Sequence, residues 1–373
     1  MTTVGITGAA GFLGWHIRCR LHALGIPSVL ATRETFADAA LLEAFCDSAD
    51  VIVHVAGVNR ASSDSEVVEG NRWLALRLID AMRTSGSTAP VVYMNSTQSE
   101  HDSPYGLAKL EAADALAEQC ATSGAAFLDL ILPHLFGEFG RPNYNSVVST
   151  FAYALANDRE VAVNPDAEIE LVHAQDVAEL VVENIASPAS ARRRIKGRRI
   201  AVCDVWEQLQ RMHHRYVNEA TVPRAEDRFE LELFNTLRSQ LFDAGHYPRP
   251  LALHTDKRGA FAELCRADGL GQTSLSTTAP GVTRGDHFHF TKIERFVVVQ
   301  GQAEIRLRKL FSNDVKSYQV DGSKPSFIDM PPLATHNIIN TGTSNMITVF
   351  WSGDHFDPEN PDTYAEAVGA VTR

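Results

Sequence analysis

The sequence predicts a doubly wound, Rossmann-type α/β domain followed by an all-β, jelly-roll barrel domain. Three observations predict it. The chain opens with GITGAAGFLG, a short β-type run leading into a glycine-rich turn. Strand-like and helix-like stretches alternate through the first half, which is the pattern of a parallel sheet. From Gly271 onward the pattern shifts to short runs of period 2 between turns, which is the pattern of a small barrel. At 373 residues the chain exceeds a typical single domain, so two domains are the default.

The first strand is Val4 to Thr7, and Gly8, Gly11 and Gly14 follow it before a helical pattern begins. Glycines here permit a tight turn and close approach of backbone to a pyrophosphate at a helix N-terminus. Taken alone, the same residues would suit an ordinary turn. SVLATRE (28–34) reads as a second strand ending in Arg33, where a guanidinium suits the 2′-phosphate of NADP; Glu34, next to it, keeps NAD open. ADVIVHVAGVNR (49–60) and PVVYMNSTQ (90–98) are further buried-strand patterns. In SPYGLAKLEAADALAEQC (103–120), Tyr105 and Lys109 lie four apart on one helix face. A free tyrosine has a pKa of about 10. A neighbouring ammonium stabilises its phenolate and makes the hydroxyl a usable proton donor. Ser96, or Thr97 beside it, ends the preceding strand and offers a hydroxyl to a substrate carbonyl.

This set resembles the extended, nucleotide-sugar-modifying branch of the short-chain dehydrogenase/reductase superfamily. The resemblance implies a cofactor bed of Gly8, Gly11, Phe12, Leu13, Gly14, Arg33 and Ala56, with Tyr105 and Lys109 also touching the cofactor. The gap from Ser96 to Tyr105 is shorter than that branch usually has. In LPHLFGEFGRPNYNSVVSTF (132–151), Pro133 and Gly137 stand where the branch turns towards its substrate subdomain. Arg141, Asn143 and Asn145 there offer donors to a sugar or diphosphate, and a solvated loop would also carry them. LVHAQDVAELVVENI (171–185) matches a Val-Asp-Asp-Val-Ala segment of the branch, with Gln175 in place of the first acid, and reads as architecture.

Residues 200 to 245 read as helix, with His213 and His214 adjacent and so on different faces. HYPRPLALHTDKRG (246–259) then breaks the pattern, which puts the domain boundary near residue 245: 1–245 and 246–373. Beyond it the expected strands are QTSLSTT, ERFVVVQ, QAEIRLRKL, SYQV, SFIDM, HNIIN and NMITVFW. On a strand His287 and His289 point to one face. The spacing Gly281, His287, His289, Glu294, Gly301 resembles the first cupin motif, and Pro331, His336, Asn340 the second, where Leu333 replaces a common glycine. His287, His289, Glu294 and His336 together predict a divalent metal, zinc above all; the alternative is a metal-free site using the histidines as bases. Lys292 is a further acid/base candidate if it is buried. Asp256, Arg258, Gly259, Phe261 and Glu263, with Arg284-Gly285 downstream, resemble cupin epimerases and isomerases of nucleotide-linked 4-keto-sugars. There an arginine and a glutamate hold the diphosphate; a structural ion pair is the other reading of Arg258 and Glu263.

The whole order of motifs is similar to a family of two-domain capsular polysaccharide enzymes. That resemblance implies a cytoplasmic homodimer with two activities. The cupin would epimerise C3 of a UDP-linked 2-acetamido-2,6-dideoxy-4-hexulose. The reductase would take C4 to the alcohol with NADPH, giving an L-talose-type product. Phe290 stands where that family often has a third histidine, so the cupin acid/base stays open. The competing readings are a 3,4-ketoisomerase cupin, a structural or dimerising cupin, and a nucleotide-sugar-binding regulator. Composition excludes other classes. The net charge of −12 disfavours nucleic acid, and ARRRIKGRR (191–199) reads as a surface segment. No apolar run approaches the ~18 residues of a membrane span, and no signal peptide is evident. Five dispersed cysteines suit a reducing cytoplasm.

Overall fold

A computed structural model describes residues 2–369. The chain forms two compact units, one of residues 1–136 with 168–200 and the other of 137–167 with 201–373. The second unit therefore includes segments on both sides of residue 245.

In the first unit β1 (Val4–Thr7), β2 (Ser28–Ala31), β3 (Val51–His54), β4 (Val91–Ser96) and β5 (Phe127–Leu132) pair in parallel. A second small sheet takes β6 (His134–Phe136), β7 (Glu168–His173) and β9 (Arg198–Ala201), while β8 (Ala191–Arg194) joins the main sheet. The main order is β2-β1-β3-β4-β5-β8, so its direction of growth reverses at β1. Ligands of open α/β sheets bind at such a switch point, beyond the carboxyl ends of the strands. Every residue of β1, β3 and β5 is buried, as a strand covered on both faces requires. On one face, α1 (Phe12–Ala23) and α7 (Ala174–Ala186) bury Ile17, Leu21, Val177 and Val181 against Val4, Ile6 and Leu130. On the other face, α3 (Ala39–Ser48), α4 (Asp64–Ser85) and α5 (Pro104–Ser123) bury Phe45, Leu78 and Leu116. Each such side chain contributes roughly 1.5–3 kcal/mol of transfer free energy.

Two sequence expectations are revised. The second strand stops at Ala31 rather than Arg33, because Thr32 caps the short helix α2 (Arg33–Ala37) by accepting from the Thr35 amide. The basic run is not merely solvated. Arg192 pairs with Asp129 and Asp114, and Arg194 with Glu100 and Glu170.

In the second unit α6 (Val147–Ala156), α8 (Val202–His213) and α9 (Arg228–Asp243) accompany the barrel. One five-stranded sheet runs in the order 249–250, 326–330, 294–300, 346–352, 272–278. The other runs 315–321, 302–309, 334–340, 283–288, 364–365. All pairings within these two sheets are antiparallel, and the apolar core holds Phe296, Val298, Ile305, Leu307, Ile328, Met330 and Ile338. Among the described residues no helix is long and apolar enough to cross a membrane.

Candidate functional sites on the two units

The nucleotide end of the first unit is built by close approach. Gly8 has φ +65°, and a Cβ there would stand 2.7 Å from the Ala56 amide nitrogen. A Cβ on Gly14 would meet the Gly8 carbonyl oxygen at 2.3 Å. Side chains are therefore excluded just where α1 begins. No side chain caps α1, and its first turn carries no acid, so the amides of Phe12, Leu13 and Gly14 are left to an anionic ligand. Thr7 Oγ1 accepts from the amides of Val55 and Ala56 at 3.1 Å and bonds His54 Nδ1 at 2.8 Å, which fixes the neighbouring loop. Arg33 is exposed as the first residue of α2.

Ser103 caps α5 and Pro104 starts it, so Tyr105 and Lys109 stand in its first turns. The Tyr105 hydroxyl donates to Asn59 Oδ1 at 2.9 Å. Lys109 is 4% exposed; its ammonium donates to the Met94 carbonyl at 2.6 Å and lies 4.2 Å over the Tyr93 ring. Burial lowers its pKa to about 7, against the pull of the Asp129 carboxylate. Ser96 Oγ accepts from the Gln98 amide at 3.2 Å, which leaves its own hydrogen for a substrate oxygen. Asn95 Nδ2 bonds Asp129 at 3.2 Å and Asn95 Oδ1 accepts from the Ser96 amide at 2.8 Å, so a buried pair holds the end of β4. Neither Asn59 nor Asn95 was legible as a site residue. Their only sequence signal is a position just beyond, or at, a strand's carboxyl end.

On the barrel, His287 pairs in register with His336 across a bulge at Gly285, where Asp286 has φ +58°. His287, His289, Glu294 and His336 converge, with ligand atoms all within 4.8 Å of one another. His289 Nε2 lies 3.1 Å from Glu294 Oε2, and His336 Nε2 lies 3.7 Å from the same oxygen. His289 Nδ1 bonds the Asp362 carbonyl, which only accepts, so the ring is protonated at Nδ1. A neutral His289 then aims the Nε2 lone pair at a carboxylate oxygen. Two acceptors so placed need a proton or a cation between them. Neither His289 Nε2 nor His336 Nε2, both buried, has a hydrogen-bond partner, and the donor set of three imidazoles and a carboxylate suits a divalent metal.

Burial, with His336 and His289 adding to it, lowers His287 to about 4, and burial also lowers His336. Burial alone would raise Glu294, but the close approach of the His289 and His336 imidazoles outweighs it and holds the carboxyl well below the usual range. Lys292 is largely buried and its ammonium sits 3.3 Å from Glu294 Oε1. A cavity of about 580 Å³ opens on this cluster, lined by Ser274, Ser276, Arg284, His287, Glu294 and Phe296 among others.

Arg141, Asn143 and Asn145 are exposed residues of the second unit; Arg141 stacks over Tyr144 at 5.0 Å, and the Asn143 amide bonds Thr150. Arg258 and Glu263 do not pair with each other. Arg258 binds Asp256 and Glu263 binds Arg266, each at 2.6 Å, and neither lines the cavity, whereas Arg284 does. Gln175 is architectural: it is buried and bonds His16 at 2.7 Å.

Residues 4–195 match the NAD-dependent epimerase/dehydratase family, and residues 254–364 match the polysaccharide biosynthesis C-terminal domain. A UDP-2-acetamido-2,6-beta-L-arabino-hexul-4-ose reductase of Pseudomonas aeruginosa is 35% identical over 370 residues, 98% of each chain. The solved structure of the capsular polysaccharide assembling protein CapF from Staphylococcus aureus matches with a TM-score of 0.62 and 31% identity, over 99% of this chain and 100% of that one. RMD from Pseudomonas aeruginosa, complexed with NADPH, matches 66% of this chain and 99% of its own with a TM-score of 0.54; at 17% identity it bears on the fold alone.

Proposed function

The chain belongs to the NAD-dependent epimerase/dehydratase family, and from that membership we propose a two-step enzyme acting on a UDP-linked 2-acetamido-2,6-dideoxy-4-hexulose. The barrel epimerises C3, and the first unit reduces the C4 ketone to give an L-talose-type sugar for a surface polysaccharide. The observation that carries this reading is the coexistence of two complete chemistries. Tyr105 and Lys109 follow a dinucleotide-type turn, and an acid/base cluster lies at the end of a barrel cavity.

A bound NADPH would supply the hydride for C4 in the reductive step. The Tyr105 hydroxyl gives its proton to the carbonyl oxygen, the Lys109 ammonium stabilises the phenolate left behind, and Ser96 or Thr97 orients the ketone. Arg33, exposed beside the expected ribose, favours the 2′-phosphate of NADPH. In the barrel, the 4-ketone acidifies the C3 hydrogen; a base removes it and a proton returns on the opposite face. Zinc held on His287, His289, Glu294 and His336 would supply a Lewis acid for the ketone oxygen. With His287 spent as a ligand, Lys292 is the acid/base; without a metal, His287 takes that role. Arg141, Asn143, Asn145, Arg258 and Glu263 are assigned to the sugar diphosphate. The residues assigned to reduction lie within 1–245 and those assigned to epimerisation within 246–373, while the helices of 201–245 belong to the same unit as the barrel. A homodimer in the cytoplasm fits the reading. The barrel's edge strand, Gln272–Thr278, has one side without a partner strand among the described residues, and an open strand edge favours pairing with another chain.

The test is incubation of the full chain with the UDP-4-keto sugar in deuterated water, with NADPH, with NADH and without either, followed by NMR. Deuterium at C3 without cofactor, and reduction faster with NADPH than NADH, is the expected result. Reduction without any C3 exchange would leave the barrel a structural module.

A further inference from the structure

We propose that Asp362 is a positioning residue for the barrel cluster, setting the turn that carries His289 and Lys292. The proposal rests on the barrel reading above and adds to it a group 70 or more residues beyond that turn in sequence. The Asp362 carboxylate accepts four hydrogen bonds from one short turn. These come from the amides of Phe290 (2.9 Å), Thr291 (2.8 Å) and Lys292 (2.9 Å) and from the Thr291 hydroxyl (3.0 Å). Three successive amides pointing at one anion form a nest, and hydrogen bonds to a charged acceptor are the stronger kind. The same residue's carbonyl accepts from His289 Nδ1, which fixes the ring's tautomer and aims Nε2 at Glu294. One residue thus holds His289 by its main chain and the following turn, with Lys292, by its side chain.

Asp362 is itself held. The residues after it, Tyr364 and Ala365, pair with Phe288 and His287 as a short strand. Glu366 forms a buried ion pair with Arg308 at 2.8 Å, and the Val368 carbonyl accepts from Arg308 Nε at the same distance. Its backbone lies at φ +41°, in the left-handed region that aspartate tolerates better than most residues. The strap is therefore tied down on the far side of Asp362, and the residue meets the turn as a fixed anchor.

The experiment compares full-length wild type with Asp362→Ala and Asp362→Asn. Amide hydrogen exchange over residues 290–292 reads the turn directly and needs no metal. It should accelerate in Asp362→Ala, less so in Asp362→Asn, which keeps one acceptor oxygen. Zinc affinity of the chelator-treated proteins should fall about 10–100-fold in Asp362→Ala, with an altered cobalt absorption spectrum. Far-UV circular dichroism must show each variant folded; if alanine does not fold, the asparagine variant decides. Unchanged exchange over 290–292 in a folded variant overturns the proposal, as does zinc bound with wild-type affinity and the wild-type cobalt spectrum. A wild type that binds no zinc would sink the metal reading instead, and the exchange data would still decide the role of Asp362.

Discussion

Lys109 shows how one residue sets chemistry against stability. Its ammonium is buried with a single strong hydrogen bond to the Met94 carbonyl, and its pKa falls from 10.5 to about 7. Below pH 7 both folded and unfolded chains hold the proton, and the fold bears the whole cost of the buried charge. Between about 7 and 10.5 the unfolded chain binds more protons, so stability rises with pH and the cost vanishes. Lys109→Met should therefore stabilise the cofactor-free protein at neutral pH by about 1–3 kcal/mol, after the loss of the Met94 bond. The gain should shrink towards pH 10, and reduction should be lost throughout. Thermal unfolding at pH 7 and pH 10 checks this; a variant less stable than wild type at pH 7 would contradict it. Asp129, on β5 in register with Tyr93, works against the shift, and its own carboxyl is pushed up by burial.

Among the elements, α1 and its turn were readable because every determinant is local: a strand, three glycines and a helix within 20 residues. Gly14→Ala places a Cβ 2.3 Å from the Gly8 carbonyl, which the backbone can relieve only by moving the start of α1. The cost should be about 1–3 kcal/mol, which borne by cofactor binding is a loss of roughly 5- to 160-fold in NADPH affinity. Titration of cofactor fluorescence measures it, and unchanged affinity would remove the turn from the site. The HxH strand was readable for the same reason, since alternation puts both rings on one face. The register that sets His287 against His336 was not, because pairing over 49 residues leaves no mark in either segment. Asp362 was invisible on the same ground. Arg258 and Glu263 read as partners by their motif, yet each found a nearer opposite charge on the exposed surface. Proximity in sequence decides such weak pairs.

At the scale of the whole molecule, the two activities should separate by substitution rather than by cutting. A cut near residue 245 would strip α9 from the barrel. It would break the bonds from Asn235 to the Thr291 carbonyl and from Arg238 to the Met330 carbonyl, and the bond from Lys316 to the Phe242 carbonyl. Tyr216, which donates to buried Asp329, would go with it and leave a buried carboxylate short of a donor. Tyr105→Phe in the intact chain should abolish NADPH oxidation, keep cofactor binding, and still exchange the C3 hydrogen with solvent. Deuterium incorporation by NMR reads this, and loss of exchange in that variant would place both steps at one site. Sequence periodicity marked the change from helix to strand at this boundary but could not show which helices pack with the barrel, since packing follows three-dimensional complementarity.

The first unit is discontinuous, and a growing chain meets that fact in time. β5 is made as FLDLIL, six buried residues whose outer edge pairs with β8, with Leu128 opposite Ala191. Between the two, the chain must synthesise 137–167, which belongs to the other unit. Throughout that interval an apolar strand with high β-propensity stands with an open edge, the condition under which nascent chains associate with one another. Asp129 is the one charge in that strand, and so the one local guard against association until Arg192 arrives to cover it.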